Sequence, residues 1–246
     1  MPVAPVTALL DRLLHEPGRP RLTWYGDDGE RVELSGAVLG NWVSKTVNLL
    51  VEEFDAGPGT AVALDLPVHW RTAVWALATW RCGAAVVVPD AGATPSADVV
   101  VTDRPAPWAD HAGELVVVSL PALARRFDGS LPAGAIDAAS AVMTYGDVIG
   151  WVPDADPAAP ALAAGPDEAV PHADLVPALP GQGERVLVDG RDPVDQVLRG
   201  LLAVWAGDGS VVLTSPGTAA ALETDAARRD RLVASERVTS GGLLAP

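Results

Sequence analysis

Lysine is nearly missing from this chain: Lys45 is the only one among 246 residues. It follows Val43-Ser44 rather than a G-x-x-x-x-G run, so no Walker-type phosphate loop can form around it. On its amphipathic stretch it reads as a solvated helix-face residue. Cysteine is as scarce. Cys82 stands alone, which excludes an intrachain disulfide and a cysteine metal cluster. It follows Trp80-Arg81 in an apolar segment and reads as a buried structural thiol rather than a nucleophile. His15, His69, His111 and His172 are scattered, and no pair has metal-ligand spacing. His69, at a helix start, reads as a surface or capping residue. No G-x-S-x-G elbow occurs, so a hydrolase triad is unsupported. Gly181-Gln182-Gly183 precedes an apolar strand instead of following one, so the dinucleotide fingerprint fails. No apolar run reaches the roughly 20 residues that cross a bilayer. Residues 1–15 have no basic segment, and Asp11 interrupts their apolar stretch, so they do not read as a signal peptide.

What is present is apolar and acidic. Hydrophobic residues make up 49% of the chain, enough for a substantial core in one large or two small domains. The formal net charge of −15 repels phosphate backbones and anionic headgroups, so neither nucleic acid nor a membrane is an expected partner. The expected location is the cytoplasm, and the Ala, Gly, Arg and Pro bias suggests a high-GC bacterial genome.

Periodicity predicts an alternation of strands and helices. Thr7 can cap a helix over 8–15. Leu22–Tyr25 and Arg31–Leu34 flank Asp27-Asp28-Gly29, a hairpin signal. Ser35 caps a long helix on which Leu39, Trp42, Val43, Thr46, Val47, Leu50 and Phe54 recur at helical spacing. Gly57-Pro58-Gly59 ends it. A strand at 61–66, a helix at 69–82 and a strand at 84–88 follow. Trp70, Trp75 and Trp80 on that helix could line a pocket, although their spacing suits core packing. Strands are predicted at 98–102 and 114–120, and helices at 121–127 and 136–148. Residues 151–171 have no period and read as a linker. Beyond it come a strand at 184–188, a helix capped by Asp192 that runs to Trp205, a strand at 210–214, and one charged helix over 218–237. Thr214-Ser215-Pro216-Gly217-Thr218 could hold an anion at that last helix's start, or simply end the strand with Thr218 as cap.

There is also an internal echo. Trp80-Arg81-Cys82-Gly83 before Val86-Val87-Val88 parallels Trp205-Ala206-Gly207-Asp208-Gly209 before Val211-Val212-Leu213. Both are helix, glycine turn and apolar strand, a pattern open to repetition or to the common grammar of α/β units.

Leu22-Thr23-Trp24, the amphipathic helix, Gly57-Pro58-Gly59-Thr60-Ala61-Val62 and Arg81-Cys82-Gly83-Ala84-Ala85-Val86-Val87-Val88-Pro89 occur in an informative order. That order resembles the opening of the AMP-forming acyl-CoA synthetases, the adenylate-forming superfamily, with its L-T-Y, G-x-x-x-G-D-x-V and K-A-G-A-x-x-V-P. Pro171-His172-Ala173-Asp174-Leu175 is similar to the family's T-H-x-N-L. Leu201–Ala206 with Val211–Leu213 is similar to its L-L-x-x-L-x-A-G-A-x-V-V-L, and Glu236-Arg237-Val238-Thr239 to its E-R-V-T. The implied fold is α/β: layered, mostly parallel sheets with helices on both faces, in two similar units. The expected division is a unit over 1–150, a connecting loop over 151–171 and a smaller unit over 172–246.

The family's phosphate loop, T-S-G-T-T-G-x-P-K-G, precedes its T-H segment. Here Ala161–Val170 stands in that place, without hydroxyls or lysine and with Asp167 and Glu168. Carboxylates there would repel triphosphate. The later family motifs for adenine, ribose and the catalytic lysine are not found, and the chain reads as a shortened relative. The expectation is therefore a non-catalytic protein that binds a partner or a small ligand. The alternatives are an adenylate-forming ligase or nucleotide binder with a rebuilt site, or a regulatory partner of a full-length ligase. No catalytic, cofactor-binding or metal residue is assigned, and no cofactor is expected. A shortened domain exposes apolar surface, so a homodimer or a protein partner is expected.

Overall fold

A computed structural model describes residues 5–90, 92–164, 169–178 and 183–241. The chain runs α1 (Pro5–Leu13), β1 (Pro20–Tyr25), β2 (Arg31–Ser35), α2 (Gly36–Phe54), β3 (Ala61–Asp65), α3 (Trp70–Arg81) and β4 (Ala85–Val88). Next come β5 (Val99–Thr102), β6 (Glu114–Val117), β7 (Ile136–Asp137), α4 (Ala138–Ala141), β8 (Pro160–Ala164) and β9 (Ala169–Pro171). The last elements are β10 (Arg185–Val188), α5 (Val194–Ala206), β11 (Ser210–Thr214), α6 (Pro216–Thr224), α7 (Ala226–Glu236) and β12 (Ser240–Gly241). The fold is mixed α/β with two mostly parallel sheets, as expected.

The division into units differs from the expected one. One unit comprises Met1–Thr7, Asn41–Pro67 and Arg71–Leu175, and the other Ala8–Gly40, Val68–Trp70 and Val176–Pro246. Residues 20–35 belong with the C-terminal strands because β1 pairs in parallel with β11, Leu22 opposite Val211 and Tyr25 opposite Thr214. Such a pairing links distant positions, and local periodicity cannot reveal it.

The first unit carries a seven-stranded sheet of order β7-β6-β5-β3-β4-β8-β9, parallel except for β9. Ala63, Val100, Trp108, Leu115 and Val117 form part of its core. Residues 151–171 do not form a structureless linker: β8 and β9 lie within them. The segment Pro160–Ala164 lacks the β-branched residues that mark a strand. Its small side chains instead let it pack beside β4, with Ala161 and Leu162 fully buried.

Two expected helices are replaced. Residues 121–127 form turns, because the buried Arg71 guanidinium donates to the carbonyls of Leu120, Pro121 and Ala122. Residues 136–148 hold only β7, α4 and a single 3-10 turn over Val142–Thr144. Asp137 caps α4 by accepting from the Ala139 amide. Tyr145 is then extended, and the chain beyond it is tied to α2.

The second unit carries a five-stranded sheet of order β12-β10-β11-β1-β2, in which only β2 is antiparallel. The hairpin turn at Asp27-Asp28-Gly29 is as expected, with Gly29 at φ 76°. Ser35 accepts from the Val38 amide at the start of α2. Helix α5 starts at Val194 with Pro193 as cap residue, and no side chain caps it, so the capping expectation for Asp192 does not hold. The expected single helix over 218–237 is two helices. They break at Asp225, which leaves the helical region and caps α7 by accepting from the Arg228 amide at 2.9 Å.

The internal echo extends to atomic detail. At the end of α3 the Gly83 amide bonds the Trp80 carbonyl and the Ala84 amide bonds that of Thr79. At the end of α5 the Asp208 amide bonds the Trp205 carbonyl and the Gly209 amide that of Val204. Gly83 and Asp208 take left-handed conformations, with φ 79° and 58°. Both tryptophans are buried, and each indole donates to the adjoining strand: Trp80 to the Ala161 carbonyl at 2.7 Å, Trp205 to that of Arg21 at 3.0 Å. The motif β3–α3–β4 beside β8 thus repeats as β10–α5–β11 beside β1.

Candidate functional site

Ligands of open α/β sheets bind outside the carboxyl ends of the strands, near the point where strand order reverses. In the first unit that point lies between β3 and β5, with β4 on the far side of β3. Asp65 ends β3 opposite Thr102 at the end of β5. Its carboxylate accepts from the Thr102 hydroxyl (2.8 Å), the Trp108 indole (2.8 Å) and Arg104 Nη2 (2.7 Å). Burial raises the neighbouring Asp103 above the usual carboxylate value. The centre of this edge is therefore occupied by one carboxylate whose donors all come from the unit itself.

The second unit has a matching arrangement around β1, β10 and β11. The Thr214-Ser215-Pro216-Gly217-Thr218 segment does form a helix start, with Ser215, not Thr218, as the cap. Ser215 Oγ accepts from the Thr218 amide at 3.0 Å, and its hydroxyl donates to Asp27 Oδ1. Thr218 donates to the Gly26 carbonyl at 2.8 Å. A Cβ on Gly217 would run into the Asp27 carboxylate, so Gly217 allows that close approach. The hairpin turn thus delivers its own anion to the positive end of α6. Beside it Arg191 is forked by Asp189 and pairs with Glu223, and this pairing lowers the Asp189 pKa. Asp27→Ala removes the anion and a partner of the cap. It is expected to cost about 1 kcal/mol in urea unfolding, whereas Asp28→Ala at the exposed turn stays near zero.

The place of the expected phosphate loop is the β8–β9 connection. These strands pair antiparallel with Ala163 opposite Ala169, so only residues 165–168 stand between them. Asp167 and Glu168 lie outside the described residues, as do Gly181 and Gln182. Just beyond β9, His172 is buried, hydrogen-bonded to the backbone of Gly83 and Ala84, and held below the usual histidine pKa chiefly by burial. Its Nε2 has no hydrogen-bond partner among the described residues.

The remaining candidates are structural. Trp70, Trp75 and Trp80 are all core residues. Cys82 is buried, and burial pushes its thiol up to about 12. His69 is not a surface residue: it is buried, with its ring edge-on to Trp24 at 4.5 Å. Lys45 is not freely solvated. Its side chain is 17% exposed, pairs with Asp147 at 2.9 Å and donates to the Tyr145 carbonyl at 2.5 Å. The sequence reading missed Asp65 and Asp27 as hubs. An acidic residue closing an apolar strand, or standing in a hairpin turn, carries no local sign of its distant donors. Among the described residues no cluster of metal-ligating side chains occurs, and no helix is long and apolar enough to cross a membrane.

Comparison with solved structures shows the fold. An acyl-CoA synthetase from Brucella canis matches with a TM-score of 0.72 at 17% identity, covering 96% of this chain and 47% of that one. NpsA-ThdA, an artificially fused adenylation–PCP di-domain NRPS from Klebsiella oxytoca, matches with a TM-score of 0.68 at 14% identity, covering 98% of this chain and 43% of that one. The chain thus has the acyl-CoA synthetase fold over less than half the length of these two proteins. No family model matches it. A TIGR03089 family protein from Mycobacterium tuberculosis (strain ATCC 25618 / H37Rv) is 37% identical over 249 residues, covering 94% of this chain and 95% of the relative. At that identity and coverage, this chain belongs to the TIGR03089 family.

Proposed function

We propose that this protein is a non-catalytic member of the acyl-CoA synthetase fold that acts by binding a partner or a small ligand. The observation that carries the reading is the β8–β9 connection. The strand bounds leave residues 165–168 between the two strands, reading Gly-Pro-Asp-Glu. That stretch offers no hydroxyl and no cation to a triphosphate, and it adds two carboxylates. Lys45 cannot substitute, because it is engaged by Asp147 and Tyr145. The carboxyl edges of both sheets support the same reading, since Asp65 and Asp27 engage the nearby donors that an anionic ligand would use.

Titration calorimetry with ATP and with AMP, each with magnesium, tests this. No saturable heat is expected up to about 1 mM nucleotide, which corresponds to binding weaker than about −4 kcal/mol. A micromolar dissociation constant for either would overturn the reading and favour a nucleotide site rebuilt elsewhere in the chain.

A further inference from the structure

The segment after α4 is held firmly and displays apolar side chains outward. Asn48, nearly buried on α2, donates to the carbonyls of Gly146 (3.2 Å) and Val148 (2.9 Å) and accepts from the Gly150 amide (3.1 Å). Lys45 holds Tyr145 and Asp147, and the Tyr145 hydroxyl donates to Glu53. Along residues 143–151 three large apolar side chains nevertheless face water: Met143 is 58% exposed, Val148 80% and Trp151 73%, while Ile149 between the last two is half-buried. A loop needed only to cover α2 would turn such groups inward, where each gains burial energy. Fixing them outward provides a pre-ordered contact strip with a tryptophan at its end, the residue type most enriched where binding energy concentrates.

The charge around the strip selects the occupant. Asp147 within it is exposed, as are Glu53, which accepts from the Tyr145 hydroxyl, and the adjacent Glu52, and the exposed Asp154 and Asp156 follow it in the chain. Helix α2 and residues 142–159 contain one basic residue, Lys45, which is already paired. In a two-fold dimer built on this strip, each acidic rim would face its own copy, which costs energy. We infer that residues 143–151 form a docking strip for another protein's amphipathic segment, apolar on one face and rich in lysine or arginine beside it. This deepens the interaction reading proposed above and disfavours a homodimer through this face.

The test uses the full chain and an amphipathic lysine–leucine model peptide, with a glutamate–leucine peptide of equal length as charge control. Calorimetry is expected to show saturable binding of the lysine–leucine peptide, weakened by salt, and none of the glutamate–leucine peptide. The double variant Val148→Ser/Trp151→Ser, whose thermal midpoint is expected to stay unchanged, binds at least tenfold more weakly. Asn48→Ala, which frees the strip while keeping its apolar groups, also weakens binding. Absent binding by the wild type, or equal binding by the double variant, overturns the inference. So does a wild-type dimer in sedimentation that the double variant dissolves, because the face then belongs to a second copy. Nucleotide calorimetry is independent of this result, so failure of the strip and failure of the non-catalytic reading are separable.

Discussion

Glu236→Gln is expected to lower the unfolding free energy by about 3–5 kcal/mol, read from urea denaturation near neutral pH. Glu236 closes α7, and its side chain is 6% exposed. Its carboxylate accepts from the Tyr25 hydroxyl (2.5 Å), Arg31 Nε (2.9 Å) and Arg185 Nη2 (2.5 Å). Arg185 also reaches the Glu236 carbonyl, Thr23 and Ser210. One carboxylate therefore fastens α7 to three strands, β1, β2 and β10, and Arg185 carries the network on to Ser210 of β11. The amide of glutamine would set a donor against a guanidinium and leave charge unpaired at low exposure. Replacing Glu236 and Arg185 together by leucine removes both buried charges and is expected to recover part of the loss. A loss under 1 kcal/mol for Glu236→Gln would mean that the network holds nothing together.

The same group sets an acid limit. Burial alone would raise the Glu236 pKa, but the hydrogen bonds from Arg31, Tyr25 and Arg185 outweigh it and hold the value at about 2, against 4.5 for a free carboxyl. The unfolded chain then binds the proton first as pH falls. This contribution, on the order of 3 kcal/mol, is complete above pH 4.5 and disappears as the pH approaches 2. The wild type is expected to show that acid slope in urea midpoints, and Glu236→Gln to lack it.

Gly190→Ala is the second large effect, with an expected loss above about 3 kcal/mol, beyond the usual range for an inserted methyl group. A Cβ at Gly190 would strike the Thr214 carbonyl oxygen and lie 2.9 Å from the carbonyl carbons of Thr214 and Ser215. These are backbone atoms at the end of β11 and the start of α6, so no rotamer change relieves the clash. The Gly190 amide also bonds Thr214 Oγ1, which in turn donates to the Val188 carbonyl. Gly18→Ala is the control, since a Cβ there meets nothing within 4 Å. Circular dichroism and urea curves that leave Gly190→Ala within 1 kcal/mol of Gly18→Ala would refute the close approach.

Elements whose signal is local were legible in the sequence. The hairpin announced itself through Asp27-Asp28-Gly29, α2 through its apolar stripe, and β4 through Ala84–Val88. The echo between Trp80 and Trp205 was legible too, because each tryptophan stands three residues before the left-handed residue of its turn. What stayed hidden was either small or distant. β8 is built of proline, alanine and leucine, and only its place beside β4 makes it a strand. Arg71 dissolves a local helix by drawing its carbonyls away. Asp27 reaches α6 across more than half the chain, and no window of periodicity spans that distance.

The pairing of β1 with β11 also bears on how the protein is made. A ribosome releases the hairpin of β1 and β2 well before β11, so the partner edge of β1 does not exist until Val211–Thr214 has emerged. Until β11 emerges, that edge presents open amides and carbonyls, a template for stray pairing. Closure must wait for a contact of very long sequence separation, which slows folding. The nascent chain should therefore depend on holding chaperones while that edge stays open.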